Sequence, residues 1–393
     1  MKKKVSILGS TGSIGLNSLK IFEKKKNLFS IYLLSANKNF KLICDQIKRY
    51  DPKIFIINDF KTYKKIKIKF KKKNIKFFNN INECKLNLSK SNITIAAIPG
   101  IIGLHPTIEL IKKSQKVLIA NKESIICGWN LIKKIAKKNN TRIIPIDSEH
   151  FSIMKLLTNE KKNNIEKIYL TASGGPFLKY SLSKLNNVKP KEALKHPKWK
   201  MGKKISIDSA SLMNKMLEIM EAQKLFAFSL KKLDIVIHPE SLVHAIIQFK
   251  NGLYKFLYHE TTMVIPLLNA IFEKNLDIKK VFKNGEIKKN FFFKNLSFQK
   301  VDKKRFPVIK LKSRMNEFFS TPIIINAANE ILVDQYLKKK IGFNSFYNHI
   351  LNVMRDSNYK KYAIKVPKNI NQIMTINKWA REVTLKKIET KNV

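Results

Sequence analysis

The stretch "KVSILGSTGSIGLNSLKIF", residues 4–22, decides the fold. Its opening, "KVSILG", is a short apolar run that reads as a strand. From Ile14 to Phe22 the apolar residues recur at helical spacing. Between the two lies "GSTGSIG", Gly9 to Gly15. A glycine loop that leaves a strand and opens a helix lets backbone amides approach a pyrophosphate at the positive end of the helix. The spacing is GxxGxxG rather than GxGxxG. Taken alone, the loop leaves open a glycine-rich turn that binds nothing.

The pattern repeats outward. "IYLLS" (31–35), "IFIIN" (54–58), "ITIAAIP" (93–99), "KVLIA" (116–120) and "RIIPID" (142–147) read as strands. "LICDQIKRY", "HPTIELIKKS" and "IICGWNLIKKIAKKN" read as helices between them. Strands alternating with helices predict a parallel sheet, hence an α/β, doubly wound, Rossmann-like domain over residues 1–150. The second strand runs into Asn37, Lys38 and Asn39. A site selective for NAD carries an acid there, to hold the ribose hydroxyls. Amides and a cation suit a 2′-phosphate, so the expected cofactor is NADPH.

The texture changes after about residue 150. "IEKIYLTASGGPF" reads as a strand and a glycine turn, residues 179–205 as a Lys- and Pro-rich loop, and "DSASLMNKMLEIMEAQKLF" (208–226) as one helix opening on cap-type serines. "LDIVIHP", "HAIIQF" and "LYKFLYHE" read as strands. This predicts a central α+β domain over 151–290, a connector over 291–311 that continues a basic, Phe-rich stretch from about 279, and a C-terminal helical bundle over 312–393.

Composition narrows the function classes. Of 78 basic residues only six are Arg, and the formal charge is +50. Lys is spread along the whole chain with abundant Ile, Asn and Phe, the signature of AT-rich coding. Nucleic-acid readers favour the bidentate Arg, so no nucleic-acid partner is expected. The charge suits attraction of an anionic, phosphorylated substrate. The three cysteines form no CxxC pair and indicate neither a disulfide framework nor a thiolate metal site. No apolar run is long enough for a membrane span, and the N-terminal one is too short for a signal peptide. The expectation is a cytoplasmic protein without a membrane partner.

"RIIPIDSEHFSI" (142–153) ends an apolar run in Asp147, Ser148, Glu149 and His150. Asp147 and Glu149 are two apart, so in an extended segment both point one way. Two convergent carboxylates form an oxygen site for a hard divalent ion such as Mg²⁺ or Mn²⁺. Glu218 and Glu221 lie in the apolar helical run "MLEIMEA", where an acid needs a partner. A strand-end cap and helix-surface acids are the alternative reading. Ser209, Asn214 and Lys215 offer a hydroxyl, an amide and an ammonium near the expected helix start, a set that suits a phosphate monoester. Ser173 adds a hydroxyl beside two glycines.

Seven motifs stand in order over nearly the whole chain: "GSTGSIG", "ANKES" (120–124), "IDSEH" (146–150), "ASGGPF" (172–177), "HPKWKMGKKISIDSASLMNK" (196–215), "IHPES" (237–241) and "NAANEI" (326–331). Together they resemble the 1-deoxy-D-xylulose 5-phosphate reductoisomerase family. The resemblance implies a rearrangement of 1-deoxy-D-xylulose 5-phosphate followed by NADPH-dependent reduction to 2-C-methyl-D-erythritol 4-phosphate, the committed step of the non-mevalonate isoprenoid pathway. It implies Asp147, Glu149 and Glu218 as ligands of a divalent cation (Mg²⁺, Mn²⁺ or Co²⁺) acting as a Lewis acid. Lys122 and Ser148 would contact substrate oxygens, and Ser173, Ser209, Asn214 and Lys215 would hold the phosphate. His196 would open a lid over about 184–204, with Trp199 covering the substrate and Met201 near the nicotinamide. Thr11, Gly12, Ser13, Ile14, Asn37, Lys38, Asn39, Asn121, Glu123 and Gly202 match the cofactor contacts. A homodimer is implied by the resemblance alone.

His150, His238 and Glu221 read as packing or supporting residues. The sequence departs from the family at Asn37 and Ala172, where Gly is expected, and "TTMVIPLLNAIF" (261–272) lacks an expected charged pair. Three other readings predict different behaviour. A metal-free NADP oxidoreductase would ignore chelators, a basic RNA-binding module would not need the acids, and an inactive relative would have lost part of the motif set.

Overall fold

A computed structural model describes residues 1–199, 201–273, 276–282 and 295–390. The chain forms two compact units. The first comprises residues 1–124, 130–151 and 262–292, the second residues 125–129, 152–261 and 293–393.

The first unit is built on a seven-stranded sheet. Its strands are β1 (Lys3–Leu8), β2 (Phe29–Ala36), β3 (Ile54–Ile57), β4 (Lys76–Phe78), β5 (Ser91–Ala96), β6 (Ser114–Ile119) and β7 (Arg142–Pro145). They lie in the order β4-β3-β2-β1-β5-β6-β7, and every pairing is parallel. Parallel strands are covered on both faces and so read as continuous apolar runs. Ile54, Phe55, Ile56 and Ile57 of β3 are all buried, as are Val117, Leu118 and Ile119 of β6. The chain winds outward from β1 in one direction through β2, β3 and β4, then returns to add β5 on the other side. The order therefore reverses between β1 and β5, the point where open α/β sheets bind ligands at their carboxyl ends.

Two elements of this sheet carry no apolar signature. The helix Phe60–Lys69 buries only Thr62 and Ile66, because Lys fills its outer face, and Asp59 caps it by accepting the Thr62 amide at 2.8 Å. The edge strand β4 spans three residues with none fully buried.

The second unit holds a four-stranded mixed sheet. Its strands are β8 (Ile165–Ala172), β9 (Leu233–Ile237), β10 (Val243–Phe249) and β11 (Tyr254–Tyr258), in the order β11-β10-β8-β9. β8 and β9 are parallel; β8 with β10, and β10 with β11, are antiparallel. The single helix expected over 208–226 is two helices, Lys203–Ala210 and Met213–Phe226. Leu212 breaks it in the left-handed region at φ 61°. The Ser211 hydroxyl donates back to the Ile207 carbonyl at 3.1 Å and accepts the Met213 amide at 3.3 Å, competing with the helical ladder. Asp208 and Ser209 therefore end the first helix instead of capping a long one.

The loop expected over 179–205 contains a turn of 3₁₀ helix at Lys184–Asn187 and a short helix at Pro190–Ala193. Of the expected connector, residues 291–294 lie outside the described residues, as does Lys200 of the expected lid. Pro307–Ser313 forms a 3₁₀ helix that buries Val308, Ile309 and Leu311.

The C-terminal helices are Thr321–Leu337, Phe346–Met354, Tyr359–Ala363 and Ile370–Glu389. Thr321–Leu337 is buried along nearly its whole surface, including the polar Asn326, Asn329 and Gln335. It packs on Ile370–Glu389. Tyr362 stacks on Trp379 with ring centroids 4.5 Å apart. Among the described residues no helix is long and apolar enough to cross a membrane.

Candidate active site

In the first unit the glycine loop sits at the switch point. Gly9 follows β1 at φ 82°, and a Cβ there would stand 2.6 Å from the Ala97 carbonyl oxygen that follows β5. Only glycine lets the two strand ends approach this closely. The Gly12 amide closes the turn on the Gly9 carbonyl at 3.1 Å. Gly12 is the extended N-cap of the helix Ser13–Lys24, with no side-chain cap. Thr11 and Ile14 are half-buried, while Gly12 and Ser13 are exposed, so the first helical amides face outward where an anion would meet them. Gln46 supports the loop from below: it accepts the Ser10 hydroxyl at 2.7 Å and donates to the Ser10 carbonyl at 2.9 Å. Sequence reasoning missed Gln46, since a polar residue inside an amphipathic helix carries no spacing signal. Asn37, Lys38 and Asn39 are all exposed at the end of β2, and Asn39 also caps the next helix by accepting the Leu42 amide at 3.2 Å.

Asn121 stands where β6 passes into the helix Lys122–Lys138. Its Oδ1 accepts the Ser124 amide at 2.5 Å, and its Nδ2 donates to the carbonyls of Ile98 and, at 2.8 Å, Gly100. The side chain is buried and ties the loop after β5 to the start of the helix. Its side-chain amide bonds backbone groups of both segments. Lys122 and Glu123 follow, both buried.

The strand β7 stops at Pro145, two residues earlier than expected, and Ser148–Leu156 is a helix. Asp147 and Glu149 are therefore not on one face of an extended strand. Asp147 lies just before the helix and Glu149 in its first turn, with the Glu149 amide donating to Asp147 Oδ1 at 3.3 Å. The helix start favours both negative charges. Lys122 Nζ lies 3.3 Å from Asp147 Oδ2, and the Ser148 hydroxyl donates to Glu149 Oε2 at 2.5 Å. His150 is fully buried, with Nδ1 3.5 Å from Asp147 Oδ1. Within this unit, two carboxylates, a lysine and a hydroxyl are gathered at the carboxyl edge of the sheet.

In the second unit the turn after β8 presents Ser173. Its Oγ accepts the Gly175 amide at 3.1 Å and lies 2.9 Å from His196 Nε2. The other ring nitrogen, Nδ1, accepts the amides of Lys198 at 3.1 Å and Trp199 at 2.9 Å. Nδ1 therefore carries no proton, and Nε2–H donates to Ser173. Burial, helped by the nearby Lys215 ammonium, pushes the His196 pKa down to about 4, so the ring is neutral at pH 7. With two donors already on its oxygen, Ser173 has its own hydroxyl hydrogen to give to a ligand.

Gly175, at φ 66°, abuts the end of the helix Lys203–Ala210: a Cβ would be 2.9 Å from the Ala210 Cα and 3.1 Å from the Ser209 carbonyl. That contact sets the Ser173 turn beside Ser209. Arg305 holds the same turn by donating to the carbonyls of Phe177 at 3.0 Å and Tyr180 at 2.5 Å. Its scarcity as one of six arginines was the available signal. Asp208, buried, receives Asn329 Nδ2 at 2.8 Å and lies 3.1 Å from Lys204 Nζ. Asn329 of "NAANEI" thus positions the helix Lys203–Ala210, a link of 121 residues that no local pattern reveals. Gly202 is the exposed N-cap of that helix, and Met201 is half-buried.

At the start of Met213–Phe226, Lys215 Nζ lies 2.5 Å from Glu218 Oε2, and Asn214 Nδ2 donates to Glu218 Oε1. Lys215, Glu218 and Glu221 are all buried. His238 is buried with Nε2 accepting the amides of Leu242 and Val243 at 3.1 and 3.2 Å, and Nδ1 2.9 Å from the Ser297 carbonyl. Nδ1 also lies 3.1 Å from Glu240 Oε2.

The donor chemistry fits a hard divalent cation. Asp147, Glu149 and Glu218 offer carboxylate oxygens only, the ligand type such ions prefer. The outward amides after Gly12 likewise fit a pyrophosphate.

A glycine loop at the switch point of a parallel sheet, in one chain with a unit carrying buried acid–lysine pairs, defines a Rossmann-like oxidoreductase of the dinucleotide-dependent class. Family models agree. The model of 1-deoxy-D-xylulose 5-phosphate reductoisomerase matches residues 5–128, and two models of its C-terminal domain match residues 143–226 and 260–383. A protein of that name from Pelagibacter ubique (strain HTCC1062) is 46% identical over 95% of this chain and 97% of its own length. One from Clostridium perfringens (strain 13 / Type A) is 35% identical over 98% of this chain and 99% of its own. The solved reductoisomerase of Zymomonas mobilis in complex with NADPH superposes with a TM-score of 0.88 at 29% identity, over 99% of this chain and 100% of that one. A DOX-P reductoisomerase in complex with NADPH, fosmidomycin and magnesium gives 0.91 at 28%, over 99% of each. The chain belongs to the 1-deoxy-D-xylulose 5-phosphate reductoisomerase family.

Proposed function

We propose that this chain converts 1-deoxy-D-xylulose 5-phosphate to 2-C-methyl-D-erythritol 4-phosphate, in a reaction dependent on NADPH and a divalent metal. The observation that carries the reading is 46% identity to a reductoisomerase over 95% of the chain.

Asp147, Glu149 and Glu218 would hold Mg²⁺, Mn²⁺ or Co²⁺, and Lys122 and Ser148 would contact the substrate's oxygens. When bound, the cation supplies Lewis-acid polarisation of those oxygens, and NADPH supplies the hydride. Ser173, Ser209, Asn214 and Lys215 would hold the phosphate, with Ser173 as a hydroxyl donor and Lys215 as an ammonium. His196, neutral and acting as a donor through Nε2, orients Ser173. The segment 184–204 would close as a lid, with Trp199 over the substrate and Met201 near the nicotinamide, to exclude water from the rearranged aldehyde before it is reduced. Thr11, Gly12, Ser13, Ile14, Asn37, Lys38, Asn39, Asn121, Glu123 and Gly202 would line the NADPH site. Residues 1–150 would then be the NADPH-binding domain, 151–290 the catalytic and dimerisation domain, 291–311 a connector and 312–393 a helical domain. The same reading makes the protein a cytoplasmic homodimer.

The test is NADPH oxidation with 1-deoxy-D-xylulose 5-phosphate, with Mg²⁺ or Mn²⁺ and again with excess chelator. Oxidation that needs the metal supports the reading. Oxidation indifferent to chelator removes the metal, and a folded, NADPH-binding protein that leaves the substrate untouched removes the activity.

A further inference from the structure

We propose that His259 is a positioning residue for the substrate-covering Trp199, acting through the ring of His244. This rests on the reading of Trp199 as the lid residue and goes beyond it by naming what holds its indole.

Three rings form a continuous stack within the second unit. The indole of Trp199 meets His244 edge to face, with centroids 6.1 Å apart and planes at 69°. His244 lies nearly parallel on His259, at 3.8 Å and 20°. The sheet explains the second contact. Val243 of β10 pairs with Tyr258 of β11, so His244 and His259 are diagonal neighbours on one face, within reach of aromatic rings. His244 Nε2 lies 3.3 Å from the His259 carbonyl, which accepts its proton and fixes the His244 ring plane. The His259 amide donates to the Leu242 carbonyl at 3.0 Å, which anchors the second ring to the end of β10.

His259 shows that its ring face is what the structure uses. Its Nδ1–H donates to the Glu260 carbonyl at 2.8 Å. Its Nε2 is buried and meets no hydrogen-bond partner among the described residues. A buried nitrogen left without a partner is destabilising, and the parallel stack under His244 offsets it. Burial lowers the His259 pKa, so the ring is neutral at pH 7 and stacks without charge repulsion. Trp199 is thereby held twice: its amide is bound by His196 Nδ1 at 2.9 Å, and its indole edge rests on a ring that cannot tilt while His259 backs it.

The test uses the full-length protein with His259→Ala, His259→Phe and Trp199→Ala, alone and in combination. The expected result for His259→Ala is a KM for 1-deoxy-D-xylulose 5-phosphate raised about three- to tenfold, the range an aromatic pair is worth, with the KM for NADPH unchanged. His259→Phe keeps a stacking face and should restore the substrate KM. In the Trp199→Ala background His259→Ala should add nothing, because the two act in series. A His259→Ala KM within twofold of wild type, with Trp199→Ala impaired, overturns the inference and leaves the lid reading standing. A raised KM that His259→Phe fails to restore, together with a lowered Tm in both variants, also overturns it, since the residue is then only structural. A Trp199→Ala protein with unchanged KM overturns the lid reading and this inference with it.

Discussion

Ser173 Oγ and His196 Nε2 lie 2.9 Å apart, and the proton between them belongs to the histidine. Two amides on His196 Nδ1 settle that assignment. The serine is thus an acceptor toward the protein and a donor toward a ligand. Ser173→Ala should raise the KM for the sugar phosphate by roughly 10- to 100-fold, the worth of one hydrogen bond to a charged group. The NADPH KM should not move. Steady-state kinetics with each substrate varied in turn checks this, and equal changes in both constants would contradict it.

The same pair has a pH signature. The His196 pKa is depressed to about 4 by burial and the nearby Lys215, from an ordinary 6.5. The unfolded chain therefore binds a proton that the folded chain refuses between those two values. Folding stability contributed by this site rises with pH across the window and is complete above about 6.5. Histidine-selective NMR should show the His196 ring neutral at pH 5.5. A ring titrating near its ordinary value would mean that Nδ1 is not the acceptor described.

Lys215 and Glu218 form a buried ion pair of 2.5 Å on the face proposed to serve both phosphate and metal. Glu218→Gln should abolish metal-dependent turnover. Because it removes the carboxylate 2.5 Å from a buried ammonium, it should also lower stability, by up to about 3–5 kcal/mol. Combining it with Lys215→Met should recover much of the stability and none of the turnover. Melting curves alongside chelator-controlled assays separate the two effects, and turnover that survives Glu218→Gln would remove the carboxylate from the metal site.

Gly9 admits no side chain. Alanine there would face the Ala97 carbonyl at 2.6 Å in a left-handed backbone. Gly9→Ala should cost about 2–4 kcal/mol, from backbone strain and overpacking together. NADPH binding should weaken while the second unit's turn is undisturbed. Urea melts and NADPH fluorescence titration check this. A Gly9→Ala protein of wild-type stability and affinity would mean that the strand ends do not approach as described.

Asn121 joins three backbone groups. Asn121→Ala removes a helix cap and the side-chain donor to the Ile98 and Gly100 carbonyls, of which Gly100 keeps the Gly103 amide at 3.1 Å, a loss of about 2 kcal/mol. Asn121→Asp keeps the cap but sets a carboxylate against the carbonyls of Ile98 and Gly100. It should therefore be at least as destabilising as alanine. An aspartate variant close to wild type would show that the cap alone matters.

Much of this protein was decided locally and could be read along the chain. The parallel sheet follows from continuous Ile, Val and Leu runs such as Ile54–Ile57 alternating with helical periods, because burial on both faces demands it. The glycine loop, the acids at 147 and 149 and the serines of the second unit announce themselves by residue type and order. Helix Phe60–Lys69 and strand β4 did not, because Lys on an exposed face hides the period that apolar residues would show. Nor did the break at Leu212, which depends on one serine turning its hydroxyl back to its own helix. Tertiary structure alone decided the pairing of His196 with Ser173, the grip of Asn329 on Asp208 and the ring stack from Trp199 to His259. Each is a contact between residues far apart in the chain, made by burying polar or aromatic groups that must then find partners. Local propensity sets which elements form. Which distant group satisfies a buried one is settled only when those elements pack.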